Sequence, residues 1–178
     1  MFTRAHAIGA RKAEIVGAIK NGKIIAFPTD LGYFVGCNFN NISAVRRTRE
    51  ISNRKINGIY VIPINSSWIG DKFEMNKDSK NWISKLPGAY SLIMSFKPEI
   101  GFENIREIMV IAPNCWFSEI MKEAGVPIFA LDVGMSDFYS LDFNIKQGVD
   151  YVINDGSIRR PKMVVVDLVG EKEKILNF

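Results

Sequence analysis

The run Lys23-Ile24-Ile25-Ala26-Phe27 halts at Pro28, then gives Thr29-Asp30, Gly32-Tyr33 and Gly36-Cys37. A short β-branched stretch ending on proline predicts a buried strand that stops abruptly, because proline has no amide proton and sits at strand ends or edges. Such a strand presents a hydroxyl, a carboxylate, a glycine and an aromatic ring at its carboxyl end, where open α/β sheets bind ligands. The competing reading is a turn in which Asp30 caps neighbouring backbone amides.

Downstream, strand and helix signals alternate. Ile15, Val16 and Ile19 form one stripe of a helix over 11–20, which Asn21-Gly22 stops. Ser43 is the expected cap of a second helix that turns Ala44, Val45, Thr48 and Ile51 inward and Arg46, Arg47 and Arg49 outward. A second proline-terminated strand covers 59–63. A helix is expected over 68–86, capped by Asp78 and broken by Pro87-Gly88. Strands are expected over 91–96, 108–111, 128–133, 151–153 and 164–168, with a helix over 116–124 ended by Gly125. Glu99, Glu103 and Glu107 read as the solvated face of a short helix. Close strand pairs among helices predict one α/β domain over 1–178, a twisted open sheet mixing parallel and antiparallel strands with helices packed on it.

A chain of 178 residues with 47% hydrophobic side chains can bury such a core without staples. Cys37 and Cys115 form no Cys-x-x-Cys pair and have only His6 as a histidine partner, so no metal site is expected and Cys37 reads as a small core residue. No apolar run nears the roughly 18 residues of a membrane span, and 1–6 lacks a signal-peptide core, which predicts a cytoplasmic protein. Charge is segregated: 1–55 holds ten Lys/Arg against three acids, net +7, leaving −3 for the remainder. That asymmetry points to a polyanion-facing surface built from Arg46, Arg47, Arg49, Arg54 and Lys55, with Arg159, Arg160 and Lys162 as a second basic cluster.

The segment Pro28-Thr29-Asp30 with Tyr33, Gly36 and Cys37 resembles the opening of the YrdC/YciO-like family, which includes threonylcarbamoyl-AMP synthases acting in tRNA modification. The spelling Asp-x-Gly-Tyr-x-x-Gly-Cys is closer to the YciO branch. Ile51-Ser52-Asn53-Arg54, Leu86-Pro87-Gly88-Ala89-Tyr90-Ser91, Gly125-Val126-Pro127-Ile128 and Val149-Asp150-Tyr151-Val152 through Asp167 continue the likeness over nearly the whole chain. The resemblance implies a YrdC-like fold with a concave basic surface, and ATP with Mg as the cofactor; the residues by themselves indicate no cofactor. It places Thr29, Tyr33, Arg54, Ser91, Asp132 and Ser136 around one substrate and nucleotide cavity.

Several positions depart from the family's pattern. Ser52 replaces the lysine of its Lys-x-Arg pair while Arg54 is kept, and Ile111 replaces an arginine that holds an amino-acid carboxylate. Ser91 keeps a hydroxyl in place of threonine. Asp132-Val133-Gly134 stands where the family has Ser-Ala-Asn, and Met163-Val164 where it has Ser-Thr. A lost charge-assisted contact costs roughly 1.5 to 3 kcal/mol, and each 1.4 kcal/mol is tenfold in affinity, so these changes together predict impaired synthase activity.

Three functional readings follow. The first is an RNA-binding domain, with tRNA as the expected partner and weakened synthase chemistry. The second is an active synthase with a rearranged site using Thr29, Arg54, Ser91 and Ser136. The third is a binding module for another small nucleotide or acidic metabolite, in which Asp132 reads an amine or hydroxyl. Arg54 and Asp132 are expected to face each other as an internal ion pair.

Overall fold

The computed structural model describes residues 2–4, 9–51, 58–100, 102–134, 136, 138–140 and 142–176. Its chain order is β1 (Phe2–Arg4), α1 (Lys12–Lys20), β2 (Ile25–Thr29), β3 (Gly32–Asn38), α2 (Ile42–Ile51), β4 (Gly58–Ile62), α3 (Ser66–Lys72) and α4 (Ser79–Ile83). β5 (Tyr90–Ser95), β6 (Glu107–Val110), α5 (Phe117–Ala124), β7 (Ile128–Asp132), α6 (Phe143–Gly148), β8 (Tyr151–Asn154), β9 (Val164–Asp167) and β10 (Lys174–Leu176) complete it. All ten strands join one sheet in the order β1-β8-β2-β3-β7-β4-β6-β5-β9-β10. Pairing is mixed: β8–β1, β8–β2, β4–β6 and β5–β9 are parallel, and the other pairs are antiparallel.

The period of two along each strand sends alternate side chains to two faces, and each face has its own apolar cluster. On face one, Ala26, Tyr33, Val35, Val61, Leu92, Phe129, Leu131 and Val166 pack against Ala44 and Val45 of α2, Ile69 of α3, Trp82 and Ile83 of α4 and Ile145 of α6. On face two, Ile25, Phe27, Phe34, Tyr60 and Ala130 meet Ile15, Val16 and Ile19 of α1 and Phe117, Ile120 and Met121 of α5. Phe27 stacks on Phe117 with ring centroids 4.7 Å apart, joining β2 to α5. Among the described residues α1 and α5 are the helices on face two, and both sit toward β2 and β3. The stretch of this face over β6, β5 and β9 carries Met109, Ile93, Val165 and Asp167 instead.

Local details differ from the sequence reading in several places, and β1, α6 and β10 are elements it did not expect. β2 runs through Pro28 to Thr29 and turns back at once into β3, a strand the sequence reading left out; Thr29 pairs with Gly32. Pro28 is tolerated because the ladder with β8 stops at Ala26. The cap of α2 is Asn41, whose Oδ1 accepts from Ala44 N at 3.0 Å, rather than Ser43, which lies inside the helix. The single helix expected over 68–86 is two, α3 and α4, separated where Phe73 bridges to Phe96 at the edge of β5. Asp78 makes no side-chain cap; Asn76 Oδ1 instead accepts from Asp78 N and Ser79 N. Glu103 and Glu107 belong to no helix: Glu103 sits in a turn with φ 48° and Glu107 opens β6.

Candidate functional site

The β2–β3 turn is held by its own side chains. Thr29 Oγ1 accepts from Leu31 N and donates to Gly32 O, both at 3.0 Å, and Asp30 Oδ1 accepts from Asn114 N at 3.0 Å. The Thr29 hydroxyl is thus engaged within the turn, and Asp30 pins the segment that follows β6. Gly32 has φ +126°, where an L side chain is strained, and a Cβ there would lie 2.9 Å from Nε of Arg160. The missing side chain lets the Arg160 guanidinium pass over β3 to the carboxylate of Asp132, the last residue of β7.

Asp132 is 3% exposed, placed between Phe34 of β3 and Gly58 of β4. Both its oxygens are used: Oδ1 accepts from Gly134 N at 2.8 Å, and Oδ2 accepts from Nη2 of Arg160. Tyr60 of β4 stands beside this pair. Burial, with Asp132 second, pushes its phenol up to about 12. Among the described residues the charged partner of Asp132 is Arg160; Arg54 and Lys55, and with them the expected Arg54–Asp132 pair, lie outside the described residues. Arg160, expected on the polyanion surface, spends its charge inside the site.

The other expected site residues are spread across the sheet. Ser91 shares face two but is fully buried, and its Oγ has no hydrogen-bond partner among the described residues. Four strands separate it from Thr29, about 24 Å along the sheet at roughly 4.8 Å per strand, so the two do not flank one contact. Tyr33 is on face one, opposite Gly32 and Phe34 by register; its Oη donates to Gly156 O and accepts from Asp155 N, both at 2.9 Å. It latches β3 to the segment after β8 rather than lining face two. Ser136 is exposed, and its carbonyl accepts from Ile158 N at 2.6 Å, tying down the segment that carries Arg160. Ile111 is fully buried in the face-two core, and Asp167 Oδ1 accepts from Val169 N at 2.8 Å.

The basic clusters do not merge. α2 packs on face one, whereas Arg160 lies over face two. Arg46 makes a bidentate pair with Glu103 at 2.8 and 3.0 Å, Arg49 Nη1 donates to Glu103 O at 3.4 Å, and Arg47 lies 3.6 Å from Asp150. The hydrogen bond to Arg46 holds the Glu103 carboxyl below its usual value. Arg46 and Arg47 still keep over half of their side-chain surface exposed, and Arg159 and Lys162 are exposed as well. Face two is mixed in charge rather than basic, since Asp132 and Asp167 share it with Arg160.

No group of three or more His, Cys, Asp or Glu among the described residues could hold a metal ion. Burial pushes the Cys37 thiol up to about 11, the behaviour of a core residue rather than a nucleophile. Among the described residues no helix is long and apolar enough to cross a membrane. Sequence reasoning missed Arg160 as the partner of Asp132 and missed Tyr60. The glycine at 32 was the available signal, since a glycine where a strand re-enters the sheet often marks a close approach.

This mixed sheet, with helices on both faces and a hairpin with an ion pair at its mouth, defines an open-sheet α/β domain. The chain belongs to the Sua5/YciO/YrdC family, whose profile, described as telomere recombination, matches residues 17–177. It is 29% identical over 169 residues to a putative threonylcarbamoyl-AMP synthase of Methanocaldococcus jannaschii, covering 90% of this chain and 80% of that one. It is also 29% identical over 92 residues to the threonylcarbamoyl-AMP synthase of Wigglesworthia glossinidia brevipalpis, which covers 49% of this chain. In fold it is similar to E. coli YciO, with a TM-score of 0.74, 18% identity and coverage of 99% of this chain and 94% of that one. It is likewise similar to P. abyssi Sua5 complexed with L-threonine, with a TM-score of 0.80, 18% identity and 99% of this chain covered. The chain spans 47% of the Wigglesworthia protein and 56% of the Sua5 chain.

Proposed function

We propose that this chain is a ligand-binding member of the threonylcarbamoyl-AMP synthase family in which adenylate-forming activity is suppressed. The observation that carries this reading is the Asp132–Arg160 pair. A buried carboxylate stands where the family's pattern has Ser-Ala-Asn, and the cation beside it is already neutralised. The triphosphate of ATP with Mg needs free cations and hydroxyl donors. Beside Asp132 the Arg160 cation is already engaged and the Tyr60 phenol is buried, and Ile111, where the family's pattern has an arginine, is apolar and buried. The Asp132–Arg160 pair thus does not fit the triphosphate of ATP with Mg.

The test is pyrophosphate release by purified protein given ATP, L-threonine and bicarbonate. Release should stay at the no-enzyme level, and robust threonine-dependent release would refute the reading. Calorimetric titration with ATP and L-threonine, separately and together, then shows whether ligand binding outlasts catalysis. A second reading, RNA contact through α2, draws support from the exposure of Arg46 and Arg47 and from the net charge of +4.

A further inference from the structure

β9 leaves the edge of β5 at Leu168, whose amide donates to Ile93 O at 3.0 Å. Two residues further along β5 another segment takes over that edge, with Glu74 N donating to Ser95 O at 2.9 Å. Between the departing and arriving segments lies a cavity of about 470 Å³, lined by Ser95, Glu74, Lys77, Glu171 and the chain at Leu168–Gly170. Asn76 fastens its two walls together: Nδ2 donates to Leu168 O at 3.0 Å and to Gly170 O at 3.1 Å, while Oδ1 accepts from Asp78 N and Ser79 N. Glu173 N donates to Asp78 Oδ2 at 3.2 Å, which anchors the far side of the same loop. The walls are therefore set before any ligand arrives.

Ser95 lines this cavity at 3% exposure, and its Oγ has no hydrogen-bond partner among the described residues. An unpaired buried hydroxyl costs folding free energy, and such a group calls for a partner that completes it. The surroundings set that partner's sign. Glu74 and Glu171 are exposed in the lining, Glu107 stands directly across the ladder from Ser95, and Asp167 pairs with Ile93 on the same face. Lys77 is the one cation among the described residues of the lining. The Leu168 and Gly170 carbonyls each keep a second lone pair, so acceptors far outnumber donors.

We propose that this cavity binds a small organic cation, a primary amine or guanidinium, whose N–H groups donate to Ser95 Oγ and lie against Glu74 and Glu171. Its place at the β5–β9 edge, with β4 and β6 between it and β7, makes it independent of the Asp132 site and of the reading given to that site.

The test is calorimetric titration of the full chain with spermidine and with agmatine at matched ionic strength. Saturable binding is expected to both. Ser95→Ala should weaken it about tenfold while leaving the unfolding midpoint unchanged or higher, because the orphan hydroxyl is removed along with the ligand contact. Glu171→Gln, at an exposed position, should weaken binding several-fold, and Lys77→Ala should tighten it. Absence of saturable binding, a signal that disappears when ionic strength is matched, or affinity indifferent to both Ser95→Ala and Glu171→Gln would overturn the proposal.

Discussion

The chemistry of face two turns on a few atoms around Asp132. Removing Arg160 would leave a carboxylate at 3% exposure with Gly134 N as its remaining hydrogen-bond donor among the described residues. Breaking a buried pair in this way costs about 3–5 kcal/mol, and because the Arg160 side chain is 26% exposed the lower end applies. Arg160→Ala should therefore lower stability by about 3 kcal/mol in urea unfolding, with most of that recovered in Arg160→Ala/Asp132→Asn. Additive losses in the double variant would mean that the two side chains are not coupled. Tyr60 gives an independent readout, since its phenol is raised from 10.0 to about 12 by burial and then by Asp132. A folded-state pKa above the unfolded value contributes stability that is complete below pH 10 and lost as pH rises toward 12. Wild-type stability should fall about 2–3 kcal/mol further than that of Tyr60→Phe across this window, at 1.36 kcal/mol per unit. Parallel pH profiles for the two proteins would place Tyr60 in ordinary solvent.

At the scale of elements, α2 is the one whose role is most open to test. Its apolar residues Ala44 and Val45 are buried on face one, and its arginines are partly neutralised by Glu103 and Asp150. RNA affinity through this helix should be weak to moderate, salt-dependent and indifferent to sequence, because phosphate neutralisation reads no bases. Replacing Arg46, Arg47 and Arg49 with alanine should flatten the plot of log affinity against log salt by up to about three units of slope; an unchanged slope would remove α2 from any such surface. The inward stripe of this helix was legible because Ala44, Val45 and Thr48 recur at helical spacing, and most strands were legible from β-branched runs. β3 was not, since the turn at Asp30-Leu31 has no Asn-Gly or Asp-Gly pair and its glycine comes only at 32. The expected helix over 68–86 failed because Phe73 leaves helical periodicity to bridge Phe96, a tertiary demand that local propensity does not register. The site was less legible still. Register on β3 sends Tyr33 to face one, and the pairing of Asp132 with Arg160 exists only after β3 and β7 lie side by side.

Across the whole molecule, stability should be graded from the centre of the sheet outward. β3 and β7 are buried at every position and paired on both sides, with Phe27, Phe34 and Phe117 packed over one face and Phe129 in the core of the other. β1 and β10 are edge strands with one neighbour each. β10 is largely solvated, with Ile175 51% exposed and Lys174 on the free edge, an arrangement that discourages pairing with another chain. Amides of β3 and β7 should then exchange with deuterium only through global unfolding, at a cost of order 5–15 kcal/mol, whereas β10 opens locally at a small fraction of that. The face-two segment bearing Arg160 belongs to neither class, because Ile158 N, the Tyr33 latch at Gly156 and the Asp132 pair tie it to the central strands. Its protection should fall in Arg160→Ala while that of β7 stays within the global loss of stability. Equal protection of β10 and β7 in the wild type would contradict this gradient, and a segment unaffected by Arg160→Ala would show that the ion pair is not what holds it over the hairpin.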